Sequence, residues 1–179
     1  MITLVIGPMF SGKTTELLAY ERRFLYAKRK LIIVKWSKDN RYSETQVISH
    51  DGHKSKVTVY SVHQLSDLDE QIIENCDAVL IDEGQFFADL GAWCQQHSKS
   101  KQIVIAGLSG DYKQQPFQPI IDVMAQADNI IHCKSICSNC GNDAPFTIRL
   151  TADTQQMLVG SADMYQPRCR ACIHADVWE

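Results

Sequence analysis

Thr3-Leu4-Val5-Ile6-Gly7-Pro8-Met9-Phe10-Ser11-Gly12-Lys13-Thr14 is the stretch on which the fold turns. A short apolar run ends in a GxxxxGK[ST] loop, and an amphipathic stretch follows at once. That strand–loop–helix context is the one in which such a loop cradles phosphate. Its glycines let backbone N–H groups turn inward around phosphate oxygens at a helix N-terminus, where the helix dipole also favours an anion. In this setting Gly7, Pro8, Met9, Phe10, Ser11, Gly12, Lys13 and Thr14 form the cradle. Lys13 reaches the β- and γ-phosphates, and the Thr14 hydroxyl ligates Mg²⁺. The expected ligand is a nucleoside triphosphate.

Beyond this loop, short apolar runs alternate with amphipathic stretches. Thr15 to Lys28 sets Leu17, Leu18, Phe24 and Leu25 at helical spacing. Leu31-Ile32-Ile33-Val34, Ala78 to Ile81 and Ile103 to Ala106 are continuous apolar runs, as strands buried on both faces require. Ser37 to Lys54 is polar and reads as a long loop, Lys56 to Tyr60 as a strand. His63 to Asn75 reads as a helix with Leu65, Leu68, Ile72 and Ile73 inward. The resulting β-α-β-α-β order predicts an α/β domain, a parallel sheet covered by helices. After Asn129-Ile130-Ile131-His132 the chain turns rich in Cys, Gly, Asn and Pro. A boundary near Lys134 is therefore expected, dividing an α/β domain (1–133) from a smaller C-terminal one (134–179).

Two further motifs carry chemistry. Ala78-Val79-Leu80-Ile81 runs into Asp82-Glu83. In a P-loop enzyme an Asp at such a strand end helps hold the Mg²⁺ that bridges the phosphates. Ligands of open α/β sheets bind at the carboxyl ends of strands, where both acids fall. Glu83 is then placed to accept a proton from an attacking hydroxyl, or to orient a water. Cys137-x-x-Cys140 and Cys169-x-x-Cys172 offer two thiolate pairs for a tetrahedral Zn²⁺. The 28 residues between the pairs exceed the usual separation and suggest a loop held at its base by the metal. Four thiolates close the coordination sphere, so the zinc is expected to be structural. Cys76, Cys94 and Cys133 lack pair spacing and read as core or incidental.

Composition narrows the classes. A chain of 179 residues with 45% hydrophobic and 22% charged content suits one soluble domain with a small appendage. A net charge of −3 provides no basic footprint for nucleic acid. No apolar run approaches the roughly 20 residues that span a bilayer, and the phosphate loop begins where a signal peptide would lie. Paired cysteines in a P-loop chain point to zinc in a reducing, cytoplasmic setting rather than to disulfides.

Taken together, these residues resemble the thymidine kinase family of the cytosolic and poxviral type. The resemblance runs nearly end to end. It rests on the phosphate loop, Asp39-Asn40-Arg41-Tyr42, Asp82-Glu83-Gly84-Gln85-Phe86-Phe87, and Gly107-Leu108-Ser109-Gly110-Asp111-Tyr112 with Pro116-Phe117. It also takes in both CxxC pairs and Gly160-Ser161-Ala162-Asp163-Met164-Tyr165. The resemblance implies a RecA-like P-loop fold with a small zinc-binding lasso domain closing over a nucleoside. It implies that Glu83 is the base activating the 5′-hydroxyl of thymidine for attack on the ATP γ-phosphate. By the same resemblance Met9, Phe86, Leu108, Tyr112 and Phe117 line the thymidine pocket. Their apolar and aromatic character suits a flat, methylated base. Val159, Gly160 and Tyr165 match the lasso segment that grips the base largely through backbone hydrogen bonds. Asp82 and Gln85 fall with the ATP-binding residues, as do Asp39 and Arg41 from the loop after the second strand. An arginine there can stabilise charge on the transferring group. Arg149 matches a family arginine entering the lasso.

The chain departs from the family pattern at three places. Ser109 stands where Asp or Asn is common, Ser161 replaces the second glycine of a Gly-Gly pair, and Gln155-Gln156-Met157-Leu158 alternates less regularly. Family members are commonly homotetramers inhibited by dTTP, a molecule resembling the two substrates joined, so both properties are expected here. Nucleic acid and membranes are not expected partners. Two other readings stay open at this level. A P-loop ATPase gripping nucleic acid through its zinc ribbon would show salt-sensitive DNA binding. The other is a kinase for another nucleoside or for a nucleoside monophosphate; the latter would need further Arg or Lys for the acceptor phosphate, and no Arg-rich lid is apparent.

Overall fold

The chain enters the core immediately. β1 (Ile2–Gly7) is buried along its whole length and lies between β5 (Gln102–Leu108) and β6 (Asn129–His132), parallel to both. A computed structural model describes residues 1–38, 46–48, 52–156 and 163–176. With β2 (Leu31–Trp36), β3 (Val59–Val62) and β4 (Ala78–Ile81), these strands form one six-stranded parallel sheet, ordered β3-β2-β4-β5-β1-β6. Alternation along each strand divides the core between the two faces. Leu4, Val34, Ile81 and Ile105 pack on one face with Leu90, Ile120 and Val123. Val5, Ile33, Leu80 and Val104 pack on the other, under α1 (Lys13–Tyr26). That helix contributes Leu17, Leu18, Tyr20 and Phe24, each buried, at about 1.5–3 kcal/mol for every large side chain removed from water.

Two sequence expectations shift locally. Instead of one helix over His63–Asn75, a 3₁₀ turn at Leu65–Asp67 is followed by α2 (Glu70–Glu74). The cause is competition by carboxylates for backbone donors. Asp67 accepts from the Gln64 N–H at 3.0 Å and Asp69 from the Gln71 N–H at 2.9 Å, so two caps stand where one helix would run. Leu65, Leu68 and Ile73 still face inward. The strand expected at Lys56–Tyr60 begins only at Val59. Upstream, the N–H groups of Lys56 and Val57 donate to the buried Glu21 carboxylate at 2.6 and 3.1 Å, not to the sheet. Two helices not drawn from the sequence, α3 (Leu90–His97) and α4 (Gln118–Met124), cover the first face.

After β6 the parallel pattern ends. β7 (Ser135–Ile136) pairs antiparallel with β8 (Asp143–Ala144), and β9 (Phe146–Arg149) with β10 (Tyr165–Arg168), before α5 (Arg170–Asp176). Among the described residues no helix is long and apolar enough to cross a membrane.

Candidate active site

Register brings the chemistry together. Gly7 at the end of β1 lies beside Leu108 at the end of β5, and Ile81 at the end of β4 lies beside Ile105 of β5. The phosphate loop, Asp82-Glu83 and the loop after β5 therefore converge at one end of the sheet, the carboxyl end where α/β proteins bind ligands. Gly12 opens α1 in the left-handed region (φ 80°), a conformation that any side chain would strain. Inside the loop the Lys13 ammonium donates to the Pro8 carbonyl at 2.7 Å, as does the Ser11 hydroxyl at 2.8 Å. Lys13 is thus held within the cradle and is only 9% exposed. Thr14 Oγ1 donates to Asp82 Oδ1 across 3.4 Å. The pair is a set of hard oxygen donors of the kind Mg²⁺ prefers.

Glu83 adopts φ 54°, ψ 45°, a left-handed conformation costly for a residue with a Cβ and concentrated at functional sites. Its carboxylate is pinned. Gln85 Nε2 donates to Glu83 Oε2 at 2.6 Å, while Gln85 Oε1 accepts from the Leu108 N–H at 3.0 Å. Gln85 itself is 2% exposed. Gly107 makes room for it, because a Cβ there would meet Gln85 Oε1 at 3.2 Å and Ile120 Cδ1 at 2.5 Å. The Ser109 N–H donates to the Gly7 carbonyl at 3.2 Å, tying the same loop to the phosphate cradle.

The aromatic and apolar residues singled out in the sequence divide into two groups. Phe86 stacks on Trp36 with ring centroids 4.6 Å apart, and Phe117 is a core residue that precedes α4. Tyr112 and Tyr165 are joined by a residue between them: the Arg149 guanidinium carbon lies 4.0 Å from the first ring centre and 5.1 Å from the second. The Met9 N–H donates to Thr147 Oγ1 at 2.9 Å, and Ser135 Oγ donates to the Phe10 carbonyl at 3.0 Å. Thr147 and Ser135 are buried, so the C-terminal hairpins hold the phosphate loop from behind. Asp39, Arg41, Val159 and Gly160 lie outside the described residues. Trp36, Ser135 and Thr147 were not drawn from the sequence. Buried hydroxyls and an indole in apolar runs have no spacing signature, and only the fold brings them to the site.

At the base of the hairpins, the Sγ atoms of Cys137, Cys140, Cys169 and Cys172 all lie within 4.8 Å of one another, with Cys140 and Cys169 3.6 Å apart. A tetrahedral Zn²⁺ with bonds near 2.3 Å sets its sulfurs about 3.8 Å apart, so the donor set fits. No disulfide joins these residues. Burial raises the Cys137 thiol, but hydrogen bonds from the backbone of Cys169, Asn139 and Cys140 outweigh it and bring the group down to about 6. For Cys172 a hydrogen bond from Asn139 is outweighed by the neighbouring sulfurs and by burial, which push it up to about 12. Sulfurs so close cannot all ionise without a cation among them. Cys76 and Cys94 are buried elsewhere, and burial raises both thiols, Cys94 to about 12. They fit the reading as core residues.

Comparison with known proteins agrees with this geometry. A family model described as thymidine kinase matches residues 1–173. The chain is 36% identical over 180 residues to thymidine kinase 1 of Dictyostelium discoideum, covering 98% of this chain and 78% of that protein. It is 37% identical over 172 residues to a thymidine kinase of Variola virus, covering 96% and 95% of the two. Similarity to a thymidine kinase of Oryza sativa subsp. japonica is 37% over 179 residues, covering 94% of this chain and 64% of that one. A match over nearly the whole length, with the phosphate loop, paired acids and four sulfurs in place, means that the chain belongs to the thymidine kinase family.

Proposed function

We propose that the chain transfers the γ-phosphate of ATP to the 5′-hydroxyl of thymidine, giving ADP and dTMP. The observation that carries this reading is the Glu83 carboxylate, fixed by Gln85 and next in sequence to Asp82, which pairs with Thr14 of the phosphate loop. Gly7 to Thr14 bind the ATP phosphates, and Lys13 exchanges the Pro8 carbonyl for a phosphate oxygen. Thr14 and Asp82 hold Mg²⁺, which when bound neutralises charge on the phosphates. Glu83 accepts the 5′-hydroxyl proton as the oxygen attacks phosphorus, and Asp39 and Arg41 complete the phosphate site. Gln85 serves this site from below, through Glu83.

Met9, Phe86, Leu108, Tyr112, Phe117 and Tyr165 receive the base, with Val159 and Gly160 gripping it from the lasso segment. The four cysteines hold a structural Zn²⁺ that ties the hairpins of the C-terminal domain (134–179) together at the base of the lasso, and Thr147 and Ser135 link that domain to the phosphate loop of the α/β domain (1–133). We further infer a cytoplasmic homotetramer with dTTP as feedback inhibitor, supported by the resemblance alone.

Glu83→Gln keeps shape and hydrogen-bonding capacity but cannot take a proton. Its kcat should fall by about 10²–10⁴, with ATP affinity within about threefold. Equal losses in both would assign Glu83 to folding or metal binding and overturn the mechanism.

A further inference from the structure

Arg149 ends β9, and its side chain is 1% exposed. Nε and Nη2 donate to the Tyr165 hydroxyl at 3.1 and 2.6 Å. Nη1 donates to the carbonyls of Asp153 and Gln155 at 2.9 and 2.5 Å, and Nη2 to that of Gln156 at 3.4 Å. Its flat face lies against Tyr112. A guanidinium offers five N–H donors in a fixed fork together with a stacking plane, and both are used here. One carboxylate oxygen, from Asp153, lies 3.8 Å from Nη1, so most of the cation's partners are neutral carbonyls and hydroxyls.

Two more bonds stitch the same pieces. The Tyr112 hydroxyl donates to the Thr154 carbonyl at 3.1 Å, and Gln156 Nε2 donates to Asp111 Oδ2 at 3.0 Å. The other Asp111 oxygen accepts from the N–H groups of Lys113 and Gln115, both at 2.8 Å. Residues 153–156 belong to no helix or strand, and their carbonyls are anchored chiefly by one side chain. In sequence, Val159 and Gly160 follow them after two residues.

From this geometry we infer that Arg149 is a positioning residue for nucleoside recognition. It aligns Tyr112 with Tyr165 and fixes the entry of the lasso segment, and it touches neither substrate. The inference rests on the proposed thymidine pocket. Loss of Arg149 therefore weakens thymidine binding and leaves phosphate transfer intact. Lysine is no substitute: a point charge with three donors cannot hold a hydroxyl and three carbonyls while stacking on a ring.

The test uses Arg149→Ala, Arg149→Lys and the milder Tyr112→Phe, which removes only the bond to Thr154. In both Arg149 variants the thymidine KM should rise about tenfold or more, with kcat and the ATP KM within about threefold. Tyr112→Phe should raise the thymidine KM by about threefold. Zinc content and hydrogen exchange of residues 150–165 are read in parallel, with and without thymidine. Wild type should be protected by thymidine, and Arg149→Lys much less so. Equal protection and unchanged KM in the variants would overturn the role of Arg149 while sparing the pocket. Wild type unprotected by thymidine would overturn the pocket and the inference with it. Parallel loss of kcat, both KM values and zinc would reduce Arg149 to a folding residue, which Tyr112→Phe would corroborate by having no effect on KM.

Discussion

Replacing Gln85 by Leu puts an apolar side chain of similar size in its place but removes two hydrogen bonds at once. The first is the 2.6 Å contact to the Glu83 carboxylate, and the second the 3.0 Å contact from the Leu108 N–H. Gln85 is 2% exposed and its two partners are half-buried, so water replaces the lost bonds only in part. An orphaned N–H costs about 1–3 kcal/mol when fully buried, and for the half-buried Leu108 N–H the low end, about 1 kcal/mol, lowers Tm by roughly 2–4 °C in a domain this size. The charged hydrogen bond is worth about 1.5–3 kcal/mol. If that energy holds Glu83 in its left-handed conformation at the transition state, kcat falls by about 10- to 100-fold. Steady-state kinetics with Mg-ATP and thymidine, beside a thermal melt, read both effects. The ATP KM should stay within about threefold. Unchanged kcat in a folded, destabilised variant would refute the pinning argument. A loss expressed mainly in the ATP KM would refute it too, and would assign Gln85 to direct ATP contact.

Other predictions address separate parts of the molecule. Lys13→Ala removes the cation of the cradle and should lower kcat/KM by at least about 100-fold; near-normal kcat/KM would refute the phosphate-loop assignment. Elemental analysis should find about one zinc per chain, and Cys140→Ser should lose it together with thermal stability. A zinc-free, fully active protein would contradict that. His97 is buried against Trp93, 4.4 Å between ring centres, and burial holds its imidazole below the ordinary value. The unfolded chain then takes up the proton first as pH drops below about 6.5, so stability falls from that point down to the lower folded value. His97→Phe keeps the ring contact, and its Tm should decline less between pH 7 and 5; identical slopes in the two proteins would refute this.

Much of this architecture is legible in the chain because it is local. β1, β2, β4 and β5 declare themselves as apolar runs, and the loop after β1 by its glycines and Lys13. The four cysteines come together as their spacing predicts. What the sequence hides is long-range. Nothing local to Lys56 and Val57 reveals that Glu21, on another element, takes their N–H groups. Asp67 and Asp69 signal caps, but the apolar spacing of Leu65, Leu68 and Ile73 outweighs them unless backbone donors are counted one by one. Gln85 stands two residues after Glu83 in sequence, yet its partnership with Leu108 depends on β4 and β5 being neighbours. Arg149 is the extreme case, since its partners are carbonyls and ring faces that no residue type announces.

Transfer of the ATP γ-phosphate to a panel of acceptors would test the central claim most directly. With Mg²⁺ present, thymidine, deoxyuridine, deoxycytidine and deoxyguanosine are compared with a control lacking nucleoside. The account predicts selective formation of dTMP and little ADP in the control. Preferred transfer to deoxycytidine or deoxyguanosine, or ADP released at the same rate without any acceptor, would contradict it.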